Sequence, residues 1–112
     1  MPWAIGGVPA SKLTGKGADW YKKYREQFKS EPEAYAAYGY EAANVVLAAI
    51  ARAGKADRTA VRDAVFATKD FEGVLGKWSF DANGDTTLLE MSGRQVKSGK
   101  FDDDNPVVLK AS

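Results

Sequence analysis

The chain has 112 residues, of which 45% are hydrophobic and 28% are charged, with 16 Lys and Arg against 15 Asp and Glu. This length favours a single domain, and the net charge of +1 gives no strong attraction to nucleic acid or to a membrane surface. The sequence has no cysteine and no histidine, which excludes disulfides, thiolate nucleophiles, the Ser-His-Asp triad and most transition-metal sites. Most common enzyme chemistry is therefore excluded, and only carboxylate, Lys, Tyr and Ser chemistry remains.

Nothing in the sequence indicates a membrane span or a leader. The most apolar stretch is interrupted at Glu41, Asn44 and Arg52, so no run approaches the length that crosses a bilayer. Residues 1–12 lack both a charged segment and a sustained apolar run, so we expect no signal peptide in this chain.

The start of the chain predicts a short strand, a loop and a helix. Residues 3–8 are an apolar run with two glycines, which favours a short strand or an extended entry segment, and residues 10–17 are loop-like. Aromatic residues then recur at helical spacing: Trp20, Tyr21, Tyr24 and Phe28. This periodicity predicts the first helix over about 17–29.

Two further helices are predicted in the middle of the chain. The longer one runs over about 32–53 and ends at Gly54, which suits a left-handed C-terminal cap. Its apolar middle contains one polar residue, Asn44, and we expect a helix so apolar on most faces to be buried among other elements. Asp57 is a suitable N-cap for the third helix, predicted over about 58–68. The inner stripe of that helix is predicted to be Val61, Ala64, Val65 and Thr68.

The last third of the chain predicts β hairpins. The pair Asn83-Gly84 is a strong hairpin signal and is expected to turn the chain into a return strand over 87–91. A second hairpin is predicted around Ser98-Gly99. An acidic run, 102–104, indicates a solvated turn, and 106–109 are either a last strand or a frayed tail. Because this hairpin segment gives little cover for three helices, the chain is expected to have evolved inside something larger.

Three blocks of the sequence resemble one known family. They are the run Tyr38-Gly39-Tyr40-Glu41-Ala42-Ala43, the segment 57–67 (DRTAVRDAVFA), and the segment 71–76 (FEGVLG) followed by Phe80-Asp81 and Gly84-Asp85. Their order and spacing resemble the C-terminal part of branched-chain amino-acid-binding proteins, the type I periplasmic solute-binding components of ABC importers. The resemblance covers about residues 5–101.

The resemblance implies an α/β fold of two lobes that close on a ligand. Residues 1–112 are then a single partial domain, a C-terminal fragment of about three helices followed by β hairpins. Residues 3–70 would be first-lobe-like, and residues 71–112 would be the hairpin segment that returns toward the second lobe. The family's first-lobe Ser/Thr loops and the second-lobe acidic residue that hold the ligand have no counterpart here. Ligand binding is therefore implied for the parent protein rather than for these residues alone.

Tyr35 and Tyr38 are the candidate ligand-binding residues. In the family the start of this helix reaches the cleft, where a tyrosine offers an apolar ring and one hydroxyl to an aliphatic amino acid. The alternative for both is core packing with the hydroxyls at the surface, and Tyr40 is assigned to packing. Gly39, unfavourable inside a helix, is expected to permit a close backbone approach.

Two acidic clusters are not predicted to form a metal site or a catalytic site. Asp81, Asn83 and Asp85 alternate as calcium ligands do, but the twelfth position of an EF-hand loop would be Ser92 rather than Glu, so a hairpin turn is predicted. The three glutamates Glu31, Glu33 and Glu41 are interpreted as a solvated face rather than as a glycosidase pair. We therefore predict no catalytic residue, no metal site and no cofactor.

Two functions remain open. The first is a non-catalytic fragment of the solute-binding component of an ABC importer for branched-chain or related amino acids, periplasmic in the parent family, with the amino acid and the ABC permease as partners. The second is a structural, self-associating fragment, in which faces left by the missing lobes pair with a second copy or with a complementary fragment. A small enzyme is disfavoured because the common catalytic side chains are absent.

Overall fold

The computed structural model describes residues 2–101 and 106–110 as helices, strands and connecting turns. The elements in chain order are β1 (Pro2–Gly6), a 3-10 turn (Ala10–Lys12), α1 (Lys16–Phe28), α2 (Ala36–Ala53), α3 (Arg58–Phe66), β2 (Phe71–Gly73), β3 (Gly76–Trp78), β4 (Glu90–Lys97), β5 (Lys100–Phe101) and β6 (Val107–Lys110). The described residues thus separate into a helical part, α1 to α3 with the β2–β3 hairpin, and a four-stranded sheet built on β4.

The four-stranded sheet is antiparallel, and β4 lies at its centre. Strand β1 pairs along β4 from Pro2 opposite Gln95 to Gly6 opposite Met91, and β6 pairs with the first half of β4. The predicted hairpin around Ser98-Gly99 is confirmed as β4–β5, and both turn residues have positive φ, as a tight two-residue hairpin turn requires. The predicted last strand is confirmed as β6. The acidic run 102–104 lies outside the described residues.

The hairpin turn predicted around Asn83-Gly84 is confirmed: across it, Asp81 N–H donates to the Asp85 carbonyl (2.8 Å) and Thr87 N–H donates to the Ser79 carbonyl (3.0 Å). Residues 80 and 86 make a single bridge, and the chain joins the sheet only at Glu90, so the predicted return strand over 87–91 starts three residues late. The Asp81 side chain stabilises the turn, because its Oδ1 accepts hydrogen bonds from the backbone N–H of Asn83 (2.8 Å) and Asp85 (2.9 Å). These side-chain bonds add to the backbone bonds that close the turn.

A hairpin that the sequence did not predict lies just before this turn. Strands β2 and β3 pair from Phe71 opposite Trp78 to Gly73 opposite Gly76, with Val74 and Leu75 as the turn. Each strand has three residues, which is too short for an alternating pattern to be recognised.

The bounds of the helices agree with those predicted from the sequence, except at two helix ends. Helix α1 is confirmed, and α2 ends as predicted at Gly54, where φ is +67° and the N–H donates to the Ile50 carbonyl. Helix α2 begins at Ala36 rather than near 32, because a turn from Glu33 to Ala36 precedes it and no side chain caps it. Asp57 caps α3 through Ala60 N–H (2.9 Å), and α3 stops at Phe66. The inner stripe of α3 is half-buried or buried, as predicted.

The expectation that α2 is buried on most faces is wrong for this chain. Its buried residues form one stripe: Ala37, Glu41, Val45 and Ala49. On another face Val46, Leu47 and Ile50 are 43%, 62% and 45% exposed. Helix α3 covers one side of α2, where Arg52 donates to the Ala64 carbonyl (2.7 Å), whereas these three apolar residues lie exposed on the other side. The described helices include none that is long and apolar enough to span a membrane.

The core of the helical part is organised around the carboxylate of Glu41, which is 3% exposed. Its Oε2 accepts hydrogen bonds from the backbone N–H of Val74 (2.6 Å) and Leu75 (3.2 Å), and its Oε1 accepts one from the indole N–H of Trp78 (3.0 Å). The interpretation of Glu41 as part of a solvated face is therefore wrong: this charge is buried, and three donors compensate it.

Two glycines let the elements close around Glu41. A Cβ on Gly73 would lie 1.7 Å from Glu41 Oε1, and a Cβ on Gly17 in α1 would lie 2.2 Å from the Val74 carbonyl oxygen. The predicted close approach at Gly39 is wrong, because nothing lies within 4 Å of the Cβ position there. The close contacts are instead made where α1 and α2 meet the β2–β3 turn.

We predict that Glu41→Ala lowers the free energy of unfolding by at least about 3 kcal/mol, because each buried donor left without a partner costs about 1–3 kcal/mol. Urea denaturation followed by tryptophan fluorescence measures this loss. Glu33→Ala, which changes an exposed carboxylate next to the same helix, is the control and is expected to leave the urea midpoint unchanged. Equal midpoints for the two variants would contradict the structural role of Glu41.

Candidate functional site

The candidate site is a cleft of about 390 Å³ between the helical part and the sheet. Three segments form its walls: the end of β1 at residues 6–8, the start of α2, and residues 86–91, which lead into β4. The turn residue Leu75, which Glu41 holds in place, contributes to the wall on the side of the helices. The cleft therefore lies where the chain crosses from one part of the molecule to the other.

The structure brings both candidate tyrosines into this cleft. Their rings meet edge to face with centroids 6.3 Å apart. Tyr35 stands at the N-cap of α2 with its side chain 72% exposed, whereas Tyr38 is half-buried, one turn further along the helix. The Tyr38 hydroxyl donates a hydrogen bond to the Gly6 carbonyl oxygen (3.2 Å). The only proton of the Tyr38 hydroxyl is therefore used in this bond, and the hydroxyl oxygen can still accept a hydrogen bond from a ligand.

Burial raises the pKa of Tyr38 above its ordinary value, because desolvation disfavours the phenolate. The neighbouring Tyr35 raises it further, and Arg94 acts in the opposite direction. The hydroxyl therefore stays protonated at neutral pH and retains its bond to Gly6.

The rest of the cleft is mainly aliphatic. Its apolar lining residues are Val8, Leu13, Leu75, Leu88, Leu89 and Met91, and its other polar lining residues are Thr86 and Glu90. A mostly apolar cavity with a few polar groups is the usual surrounding of a small amphipathic ligand. No motif marks residues 86–91, so sequence reasoning missed this wall.

The acidic clusters considered in the sequence do not form sites. Glu31 pairs with Arg25 (2.9 Å) and accepts a hydrogen bond from Tyr21 (2.5 Å), which raises the pKa of that tyrosine. Glu33 is exposed and Glu41 is buried elsewhere, so the three glutamates are not brought together. Asp81 and its neighbours form the turn described above. Among residues 2–101 and 106–110, no group of three potential metal ligands is present.

Tyr40 does not line the cleft; it is 49% exposed, and its ring packs at the surface 5.9 Å from that of Trp20 rather than in the core. A series of aromatic contacts continues along α1 from Trp20 to Tyr24 (5.5 Å) and from Tyr24 to Phe28 (4.7 Å). These contacts join α1 to the start of α2. They therefore support the helix end that carries the two tyrosines of the cleft.

Comparison with known proteins identifies the family. A family model described as "Periplasmic binding protein" matches residues 6–100. The chain belongs to the periplasmic binding protein family. The Leu/Ile/Val-binding protein homolog 2 of Brucella abortus is 35% identical to it over 96 residues, a match that covers 83% of this chain and 26% of that protein. The resemblance stated from the three sequence blocks is confirmed.

Solved structures of periplasmic binding proteins have the same fold over nearly the whole chain. A leucine-binding protein from Thermotoga maritima is 29% identical with a TM-score of 0.76, covering 96% of this chain and 30% of that one. A branched-chain amino acid transporter substrate-binding protein from Streptococcus pneumoniae, in complex with isoleucine, is 27% identical with a TM-score of 0.78, covering 98% and 30%. The chain thus has the α/β fold of type I periplasmic binding proteins and spans less than a third of the length of these relatives.

We predict that the stability of the chain falls more steeply above about pH 10 than that of Tyr38→Phe. The raised pKa means that the folded state holds this proton more tightly than the unfolded chain does. The resulting stabilisation is fully present below the ordinary tyrosine pKa and is lost as the pH rises through the folded-state pKa. Urea denaturation at several pH values between about 8 and 11 measures the difference. Parallel curves for the two proteins would contradict the burial of this hydroxyl.

Proposed function

We propose that this chain is part of the solute-binding component of an ABC importer for branched-chain or related amino acids, and that it is non-catalytic. The observation that carries the proposal is the aliphatic cleft walled by Tyr35 and Tyr38 at the crossing between the helical part and the sheet. The relatives support it, since they include a Leu/Ile/Val-binding protein homolog, a leucine-binding protein and a substrate-binding protein in complex with isoleucine.

In this proposal the two tyrosines have different tasks. The exposed ring of Tyr35 covers the aliphatic side chain of the ligand, and the inner leucines complete its apolar surroundings. The Tyr38 hydroxyl donates to Gly6, so it meets the ligand as an acceptor, which suits an ammonium group. This pairing favours a ligand that carries a cationic group next to a branched aliphatic chain.

The arrangement of the parent protein follows from the same proposal. The helical part belongs to one lobe, and β4 to β6 return toward the other, with the cleft between them. A ligand that touches both lobes favours the closed state by its differential affinity. The parent protein acts in the periplasm and delivers its amino acid to an ABC permease.

We expect the isolated chain to bind leucine weakly, in the millimolar range, because less than a third of the relatives' length is present. Titration of the isotope-labelled chain with leucine, followed by NMR, should shift the amide signals of Gly7, Leu75 and Leu88 but leave those of α3 in place. Tyr35→Ala is expected to weaken these shifts. Glycine, which lacks the aliphatic chain, is the ligand control, and equal shifts with leucine and glycine would contradict the assignment of the cleft.

The uncovered face of α2 supports a second candidate, a self-associating fragment. Val46, Leu47 and Ile50 expose a continuous apolar strip, and the sequence has no charged residue between Glu41 and Arg52. Two copies therefore meet along this strip without opposing like charges, and burying it removes apolar surface from water. We infer that the isolated chain pairs through this face with a second copy.

The oligomeric state tests this second candidate. Light scattering coupled to size exclusion should show a dimer whose fraction rises with concentration, and Leu47→Lys should give a monomer. Val107→Lys, which changes an equally exposed residue on β6, is the matched control and should leave the dimer intact. A monomer at every concentration would contradict self-association. That outcome would instead favour a complementary lobe of the parent protein as the cover of α2.

A further inference from the structure

The pair Asn83-Gly84, predicted from the sequence as a turn, also carries a reactive group. The backbone nitrogen of the residue after an asparagine can attack the asparagine side-chain amide, and glycine hinders this attack least because it has no side chain. Asn83 is exposed and lies within the turn that the bond from Asp81 N–H to the Asp85 carbonyl closes. Among the hydrogen bonds of the described residues, none involves the Asn83 side-chain amide. This amide is therefore free to react.

The fold requires a glycine next to this amide. Gly84 has a φ of +85°, in the left-handed region that other residues rarely adopt. A Cβ on Gly84 would lie 2.8 Å from Cε1 of Phe66, the last residue of α3. The turn thus packs against α3 through the residue that leaves Asn83 most reactive, and a larger residue fits there only if the Phe66 ring moves.

Asp81 holds the three peptide groups on which the reaction depends. Its side-chain Oδ1 accepts hydrogen bonds from the N–H of Asn83 (2.8 Å) and of Asp85 (2.9 Å), and its backbone carbonyl accepts one from the N–H of Gly84 (3.1 Å). The Gly84 nitrogen must lose its proton and turn toward the Asn83 side chain before it can attack. The bonds to Asp81 oppose both changes, so the turn has to open first.

We propose that Asn83 is a modification site at which the chain deamidates without an enzyme, and that Asp81 sets the rate by keeping the turn closed. In the first step the Gly84 nitrogen forms a bond to Cγ of Asn83. The side-chain nitrogen leaves as ammonia with the proton that the Gly84 nitrogen gives up, and a cyclic imide remains. Water then opens the ring: attack at Cγ gives aspartate, and attack at the backbone carbonyl gives isoaspartate.

The isoaspartate product changes the path of the chain into the cleft wall. Both products add a negative charge, but in isoaspartate the main chain also runs through the side-chain methylene and is longer. The turn is closed by the bridge between Phe80 and Thr86 and by the bond from Thr87 N–H to the Ser79 carbonyl, and Thr86 lines the cleft. A longer turn does not keep both contacts in register, so Thr86 is displaced.

Mass spectrometry of the chain kept at mildly alkaline pH tests the site. Trypsin releases residues 78–94, whose only asparagine is Asn83, and residues 30–52, whose only asparagine is Asn44. The first peptide should gain the mass of a deamidation and separate by chromatography into aspartate and isoaspartate forms. The second should not, because Asn44 lies inside α2 and is followed by valine. No mass gain in residues 78–94, or an equal gain in both peptides, would overturn the modification site.

Variants of the turn test the role of Asp81. Asp81→Ala should deamidate about tenfold faster than the parent chain, because both bonds to Oδ1 are lost and the turn opens more often. Asp81→Asn, which keeps an acceptor oxygen, should be accelerated less than Asp81→Ala. Asp85→Ala is the matched control: it removes a neighbouring carboxylate that accepts none of these bonds, and it should react at the parent's rate. Equal rates in Asp81→Ala and the parent would overturn the role of Asp81.

The parent chain supplies a comparison that needs no folded variant. In urea sufficient to unfold the chain, deamidation at Asn83 should be at least about tenfold faster than in buffer, since unfolding opens the same turn. Equal rates in urea and in buffer would count against control of the reaction by the fold.

NMR of the aged chain tests the displacement of the cleft wall. The amide signals of Thr86 and Thr87 should acquire a second set that grows with the isoaspartate fraction and is absent from Asn83→Gln aged in the same way. A mass gain without any second set would overturn the displacement. None of these measurements contains an amino-acid ligand, so their failure would leave the binding proposal standing, and the leucine titration tests that proposal by itself.

Discussion

The buried carboxylate of Glu41 is the interaction on which the rest of the structure depends. A charge at this depth persists only where donors replace the water it has lost, and here two backbone N–H groups and one indole N–H do so. These donors belong to the β2–β3 hairpin, whereas the carboxylate belongs to α2. The contact therefore joins elements far apart in the sequence. Gly17 brings α1 onto the same turn, because only a residue without a side chain fits against the Val74 carbonyl.

The shape of the cleft depends on that contact. Leu75, whose N–H is held by Glu41, forms one wall, and Tyr38 lies on α2 one turn before Glu41. The same helix thus carries the carboxylate that fixes the hairpin and the hydroxyl that touches the crossing strand. On its other side α2 exposes Leu47 and its apolar neighbours. Among the described residues, the interior of the helical part is packed, whereas this face of α2 is exposed; the chain spans less than a third of the length of its relatives.

Local signals in the sequence were sufficient for much of the fold. The aromatic period predicted α1, Asp57 and Gly54 marked helix ends, and the Ser98-Gly99 turn predicted the β4–β5 hairpin. The features that the sequence predicted wrongly or not at all have physical reasons. Glu41 looks like a surface residue because burial of a charge depends on donors 33 or more residues away. The start of α2 has no capping side chain to mark it, and the strand after the Asp81 turn begins only at Glu90, where the pairing with β6 starts.

The candidate site could be predicted only in part. Resemblance to a family placed Tyr35 and Tyr38 in one cleft, and the structure brings them together there. The opposite wall comes from residues 86–91, which have no motif and acquire their place only when β4 pairs with β1. The crossing at Gly7 also depends on tertiary pairing, since a glycine pair in an apolar run gives no indication of which hydroxyls will bind its carbonyls.

The most direct test of this account is hydrogen exchange by NMR on the isolated chain, at the amides of Val74 and Leu75 and at the indole N–H of Trp78. If the Glu41 carboxylate holds the helical part together without the rest of a family protein, all three protons exchange far more slowly than in an unstructured peptide, and all three lose this protection together in Glu41→Ala, which removes both acceptor oxygens. Exchange at unstructured-peptide rates in the unmodified chain would contradict the account.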